Sequence, residues 1–218
     1  MVYHIWGEQL SSQLNEALFT QNLWEPPLIE NNYFKLIPSC RFAHAPIEAL
    51  QHLIAKHAFS SNQVSSIQVD IHRLGANMSV AAPPNMLAAM FSIPFLLSLV
   101  LHKKSLYLKE NDSLLQDRQL QISASLVQVI EDPTLTALLP NIRAAKVTVK
   151  LHGGEILSET VQSPRGSYEQ HLELDQQFAK FYPYLDEDSH ESFKHMLDTT
   201  MKLETMHTDE WIATLQHK

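Results

Sequence analysis

Leu10, Leu14 and Leu18 recur at every fourth position, which predicts an amphipathic helix over residues 10–23, ended by Pro26-Pro27. Tyr33-Phe34-Lys35-Leu36-Ile37 reads as an extended run stopped by Pro38. Pro46 suits the start of a second helix, with Ile47, Leu50 and Ile54 on one face. Residues 66–72 alternate: Ile67, Val69 and Ile71 point one way, and Ser66, Gln68, Asp70 and His72 the other, the pattern of a half-buried strand. After Pro83-Pro84, residues 85–103 read as an apolar core helix that Pro94 should kink or restart. Residues 123–131 read as a short helix closed by Asp132-Pro133. Val147, Val149 and Leu151 alternate again, and Gly153-Gly154 then separates them from a strand through about Val161. A tight hairpin with both glycines at positive φ is expected there. Pro164-Arg165-Gly166 ends that strand, and a short helix follows at 171–183. A longer helix at 188–204 carries Phe193, Leu197 and Met201, and a last one follows Thr208, a suitable N-cap, with Trp211, Ile212 and Leu215.

This order contains no repeated βαβ unit and no glycine-rich phosphate loop. It predicts an α+β fold, a small antiparallel sheet covered by helices, with flanking helices at both ends. The apolar faces at 10–18 and 193–201 would be exposed without something to cover them, which favours a partner.

Composition narrows the function. The 218 residues suffice for a proper core. A net charge of −8 without any lysine- or arginine-rich run gives no electrostatic help toward nucleic acid or anionic membranes, so neither is expected as a partner. The single cysteine, Cys40, cannot form an intrachain disulfide, which suits a reducing, cytoplasmic setting. The first residues show no signal-peptide pattern, and the apolar run from Met86 to Leu101 is too short and too broken to span a bilayer comfortably.

The candidate chemistry is sparse. The chain has 12 histidines, but His52 and His57, and likewise His190 and His195, are five apart, well off one helical face. With neither HExxH nor CxxC present, no metal site and no cofactor are expected, and the histidines read as surface residues. Cys40 has His44 four residues away, a spacing open to a reactive thiol, although a packed structural cysteine fits it better. The segment from Lys35 to His44 is more informative. It places Lys35, Arg41 and His44 within ten residues of an acidic chain, between an extended run and a helix start. A fixed lysine there can hold a carboxylate, and a histidine can donate or accept a proton.

That segment, from Phe34 through Lys35, Pro38-Ser39-Cys40 and His44 to Ile47-Glu48-Ala49, resembles the corresponding motif of the MmgE/PrpD family. Family members include 2-methylcitrate dehydratase, cis-aconitate decarboxylase and iminodisuccinate epimerase. The resemblance continues in order. Ala89-Met90-Phe91-Ser92-Ile93-Pro94-Phe95 is similar to the family's "AKFSLPY" helix, and Ala145 to Gly154 to its "ARVTVTLKDG" hairpin strand. Ser163-Pro164-Arg165-Gly166 resembles "YPKGD", Phe178-Ala179-Lys180-Phe181 falls at the "LEAKF" helix, and Leu203-Glu204 fits the C-terminus. Met90 stands where the family often has lysine, and Ser167 where it often has aspartate.

The resemblance implies that residues 35–185 form an α+β lid, with 1–34 and 186–218 as flanking pieces of a helical domain. It implies a lyase on a small di- or tricarboxylate, by dehydration, decarboxylation or epimerisation beside a carboxylate, with no metal or cofactor. Lys35 matches a family active-site position and would hold a substrate carboxylate; His44 matches a recurrent motif position. The family's catalytic aspartate, its histidines and one lysine lie in an N-terminal helical domain that this sequence does not match. The expected entity is therefore the C-terminal part of such an enzyme, inactive alone, with a separate helical-domain subunit and a homo-oligomeric assembly as expected partners. The alternative is a non-catalytic interaction module or remnant that keeps the lid fold.

Overall fold

The computed structural model describes residues 31–107, 113–170, 172–202 and 205–216. The chain divides into two compact units, Met1–Tyr33 and Phe34–Lys218. The elements below belong to the second; the helix expected over 10–23, its Pro26-Pro27 stop and Leu203-Glu204 lie outside the described residues.

Four strands form one sheet: β1 (Val64–Ile71), β2 (Val127–Glu131), β3 (Ala145–Leu151) and β4 (Ile156–Val161), in the order β2-β1-β3-β4. β3 pairs antiparallel with both β1 and β4, with Val69 opposite Val147 and Val149 opposite Leu157. The alternation in sequence sets the faces: Ile67, Val69, Ile71, Val147, Val149, Leu157 and Val161 are all buried.

The edge strand departs from the expectation of a purely antiparallel sheet. β2 runs parallel to β1, with Ile67 aligned on Val127, so the sheet is mixed. Its residues were expected to be helical. The helix instead occupies Arg118–Ser125, where Asp117 accepts hydrogen bonds from the Gln119 and Leu120 amides, and the chain turns at Leu126 into the strand. Val127-Gln128-Val129-Ile130-Glu131 is too short for its periodicity to decide; pairing with β1, across an intervening stretch from 72 to 126, decides it. Tyr33–Ile37 does not join the sheet either. It runs along the surface, and the Phe34 amide donates to the Gly166 carbonyl at 2.8 Å.

Helices cover one face of the sheet, as an α+β layering requires. Helix α1 (His44–His57) packs on β3 and β4, burying Ile47, Leu50 and Leu53. Two short helices follow the first strand, α2 (Arg73–Ala76) and α3 (Met86–Ala89). Helix α4 (Ile93–Leu101) is buried along its whole length between α1, β2 and the Arg118–Ser125 helix, which explains why its sequence is apolar all round. Pro94 restarts the chain there as expected, in the first turn after Ser92, whose hydroxyl accepts from the Phe95 amide. Next come α5 (Ser113–Gln116), α6 (Arg118–Ser125) and α7 (Pro133–Thr136).

In the β3–β4 hairpin only Gly154 has a positive φ, +88°. The Gly154 amide donates to Leu151, and Leu151 in turn donates to Glu155, a longer turn that needs one glycine rather than the expected two. The chain ends in α8 (Leu174–Ala179), α9 (Ser189–Thr200) and α10 (Thr208–Gln216), the last taking in Thr208 as a helical residue. Phe193 on α9 packs edge-on against Phe178, Phe181 and Tyr182, so the chain itself covers part of the apolar face at 193–201.

Candidate functional site

The Lys35–His44 segment is clamped at several points. Gly166 has a φ of +82°, and a Cβ there would collide with the Phe34 carbonyl oxygen, so glycine is what lets the two strands of chain touch. Tyr107 donates its hydroxyl to the Leu36 carbonyl at 3.0 Å, and the Cys40 amide donates to Met90 at 3.0 Å. Cys40 is half-buried, with its thiol free, and packs against the core.

Arg41 is the centre of this clamp. It lies in a short 3-10 turn, Arg41–Ala43, that leads into α1, and is only 6% exposed. Its guanidinium donates to the Pro164 carbonyl at 3.2 Å, to the Arg165 carbonyl at 3.4 Å and to the Ser167 hydroxyl. It also meets His44 Nδ1 at 3.2 Å. The Ser167 hydroxyl donates a hydrogen bond to the Pro164 carbonyl at 2.7 Å, and Glu48 on α1 accepts from the Arg165 amide at 2.8 Å. The turn over residues 164–167 is therefore tied to the start of α1 by a buried, charge-assisted network.

His44 is the first residue of α1 and is 3% exposed. Burial, the Arg41 charge and the Lys35 charge together lower its pKa from 6.5 to about 3, with the Ile37 and Ser39 carbonyls opposing the shift. A cation at a helix N-terminus is further disfavoured by the helix dipole. The imidazole is thus neutral near pH 7, which makes a proton exchange at that pH unsuited to it. Its Nε2 atom is buried without a partner in ordinary hydrogen-bond geometry, and the Ile37 and Ser39 carbonyls are the groups that raise its pKa. The Ser39 hydroxyl, 4% exposed, is likewise without a hydrogen-bond partner.

Lys35 lies at the open side of this arrangement. It is exposed, and its charge reaches His44. Of the three cationic side chains that the sequence places close together, one faces solvent, one is a buried strut and one is a neutral ring. Sequence reasoning gave no signal for Ser39, whose interest comes from its burial alone. The inward turn of Arg41 was also hidden, although its spacing of three residues from His44 at a helix start would bring the two side chains together.

The histidines are not all on the surface, as the sequence suggested. His72 leaves the end of β1, is fully buried, caps α2 by accepting from the Gly75 amide at 3.1 Å, and meets Phe42 edge-on at 4.7 Å. Burial, helped by Arg143, lowers its pKa. His52 is half exposed, 3.9 Å from Glu48 and 3.5 Å from Glu159. Among the described residues, no group of three or more His, Cys, Asp or Glu side chains is placed to hold a metal ion. No described helix is long and apolar enough to cross a membrane. A cleft of about 420 Å³ at the far end of α4 is lined by residues that include His102, Ile122, Ser123 and His152; His102 and Ser123 there bond each other at 2.8 Å.

A family model described as the MmgE/PrpD C-terminal domain matches residues 37–198. No curated protein gives a significant match to the chain.

Proposed function

This chain belongs to the MmgE/PrpD family through its C-terminal domain, and on that premise we propose that it is the lid-bearing part of a lyase acting on a small di- or tricarboxylate. Dehydration, decarboxylation or epimerisation beside a carboxylate requires that the carboxylate be held while a neighbouring proton is removed. Lys35 is the residue proposed to hold it. The observation that carries this reading is the placement of Lys35: an exposed ammonium on a segment anchored through Phe34, Leu36, Cys40 and Arg41, with its charge reaching the buried His44 ring.

The base that removes the proton is assigned to a helical domain outside residues 34–216. That domain is supplied by a separate subunit or by further chain. In the proposed organisation, residues 35–185 are the lid and 186–218 pack with the helical part. The whole works as a homo-oligomer in the cytoplasm.

A second reading, a non-catalytic interaction module, draws support from the exposed apolar side chains of Leu87 and Phe91, which are 69% and 52% exposed. Both readings are tested together. The purified chain is assayed on 2-methylcitrate, citrate and cis-aconitate, alone and with a helical-domain protein of the same family, with Lys35→Ala as the control. Turnover only in the mixture, lost in Lys35→Ala, is expected. Turnover by the chain alone refutes the assignment of the base to another domain, and silence in both favours the interaction module.

A further inference from the structure

The cleft at the far end of α4 has built walls. One is the turn over Ser61–Gln63, which leads into β1 and is closed on itself by a capping box between Ser60 and Gln63. The other is α6, which packs on α4 and ends in the Leu126 turn. Two hydrogen bonds tie the parts together. The His152 amide donates to the Gln63 carbonyl at 2.8 Å, and the Ile67 amide donates to the Leu126 carbonyl at 2.9 Å. The space of about 420 Å³ falls in the range of small-molecule sites, roughly 300–1,000 Å³, which are usually largely pre-formed.

Its lining sets the chemistry. Val64, Ile122 and Leu126 give it an apolar surface. Ser123 and His102 stand in it as a hydrogen-bonded pair, 2.8 Å apart, with Ser123 only 6% exposed. The inner face of α6 is otherwise apolar there, since Leu120 and Ala124 are fully buried. A hydroxyl and a neutral imidazole can each give and take a hydrogen bond. If the hydroxyl donates to His102 Nε2, the ring keeps its Nδ1 proton and the serine oxygen keeps a lone pair. If the ring donates, the hydroxyl proton and the Nδ1 lone pair are left instead. Either way the pair retains one donor and one acceptor. Asn62 adds a donor, because its Oδ1 already accepts from Ser60 at 2.6 Å. Among the described residues, those that line the cleft include no Asp, Glu, Lys or Arg. A charged ligand would give up its hydration there with no fixed charge to meet it.

We infer that this cleft binds an uncharged small molecule with an amide-type donor and acceptor on an apolar body, and that the Ser123–His102 pair is its polar anchor. The inference goes beyond the carboxylate reading of Lys35 and stands without it. An amide presents its N–H and C=O side by side, the complement of one donor and one acceptor. The apolar body lies on Val64, Ile122 and Leu126. Burial of that body supplies affinity, while the polar pair fixes its orientation.

The test is proton–nitrogen NMR of the full chain at pH 8, titrated with benzamide and, separately, with benzoate. The two probes share a ring and differ in charge. Benzamide should move the backbone signals of Ile122, Ser123, Leu126 and His152, with a Kd on the order of 1 mM, as suits so small a ligand. Benzoate should bind about tenfold more weakly. Ser123→Ala removes the anchor and should weaken benzamide about tenfold. Ile122 is 54% exposed, so Ile122→Lys keeps the fold while bringing a charge to the cleft; it should weaken benzamide and strengthen benzoate. Cleft signals that stay still up to about 20 mM benzamide overturn the inference, and leave the Ser123–His102 bond as a strut between α6 and the end of α4. Benzoate binding as tightly as benzamide overturns the uncharged class. Benzamide binding that neither substitution changes overturns the site. None of these outcomes bears on Lys35.

Discussion

Replacing His44 by asparagine should flatten the acid side of the stability profile. Asparagine keeps an oxygen that can accept from Arg41 but has no proton to take up. The His44 pKa falls from 6.5 to about 3 on folding. Between those values the unfolded chain binds a proton that the folded chain refuses, so stability is fully present above the unfolded pKa and is lost as pH falls toward the folded one. At about 1.4 kcal/mol per unit, lowering the pH from 7 to 5 removes about 2 kcal/mol through this one ring. In a unit of this size that is about 4–8 °C in Tm. His72 is shifted in the same direction, but it contributes equally in both proteins and cancels from their difference. The measurement is urea unfolding followed by far-ultraviolet circular dichroism, for both proteins, from pH 7 to pH 5. The unaltered chain should lose about 2 kcal/mol more than His44→Asn over that range. Equal losses would refute the argument, because they would mean that the ring is either exposed or charged in the folded state.

Four further outcomes follow from the same geometry. Gly166→Ala forces a Cβ onto the Phe34 carbonyl at a φ of +82°; it should cost roughly 2 kcal/mol or more in chemical denaturation, through strain and the clash together. Arg41→Met removes the buried guanidinium's bonds to the Pro164 and Arg165 carbonyls and to the Ser167 hydroxyl and should cost on the order of 3 kcal/mol, with faster proteolysis within residues 163–170. Leu50→Ala opens a cavity under the sheet, since Leu50 is fully buried on α1; a loss of about 2–5 kcal/mol is expected by urea unfolding. Lys35→Ala, by contrast, should leave the unfolding midpoint unchanged within about 0.5 kcal/mol, because Lys35 is exposed.

Local pattern alone determined a good part of this fold. The alternation at 66–71 and at 147–151 set which side chains of β1 and β3 face the core, because a strand's side-chain period is two and one face must be buried. The glycine pair marked the hairpin, and Pro94 marked a helix start, because both act through the backbone conformation of a few residues. Ordered motifs resembling a family were legible too, and the family's model matches residues 37–198, a span that takes in Ile37 to His44 and begins after Lys35.

Tertiary structure decided the rest. β2 is a strand because it finds β1 across a long stretch of chain, a contact that five residues cannot announce. His72 looked like an outward strand residue until the chain turned at the end of β1 and buried it as a cap. Above all, the sequence puts Lys35, Arg41 and His44 together as three cationic side chains, and only the fold gives them different fates. Pro164, Arg165 and Ser167 arrive from more than a hundred residues away to take the Arg41 guanidinium inside. Their arrival buries His44 beside that charge and discharges it, leaving Lys35 as the cation that meets solvent, since the cost of burying a charge depends on partners that local sequence does not contain.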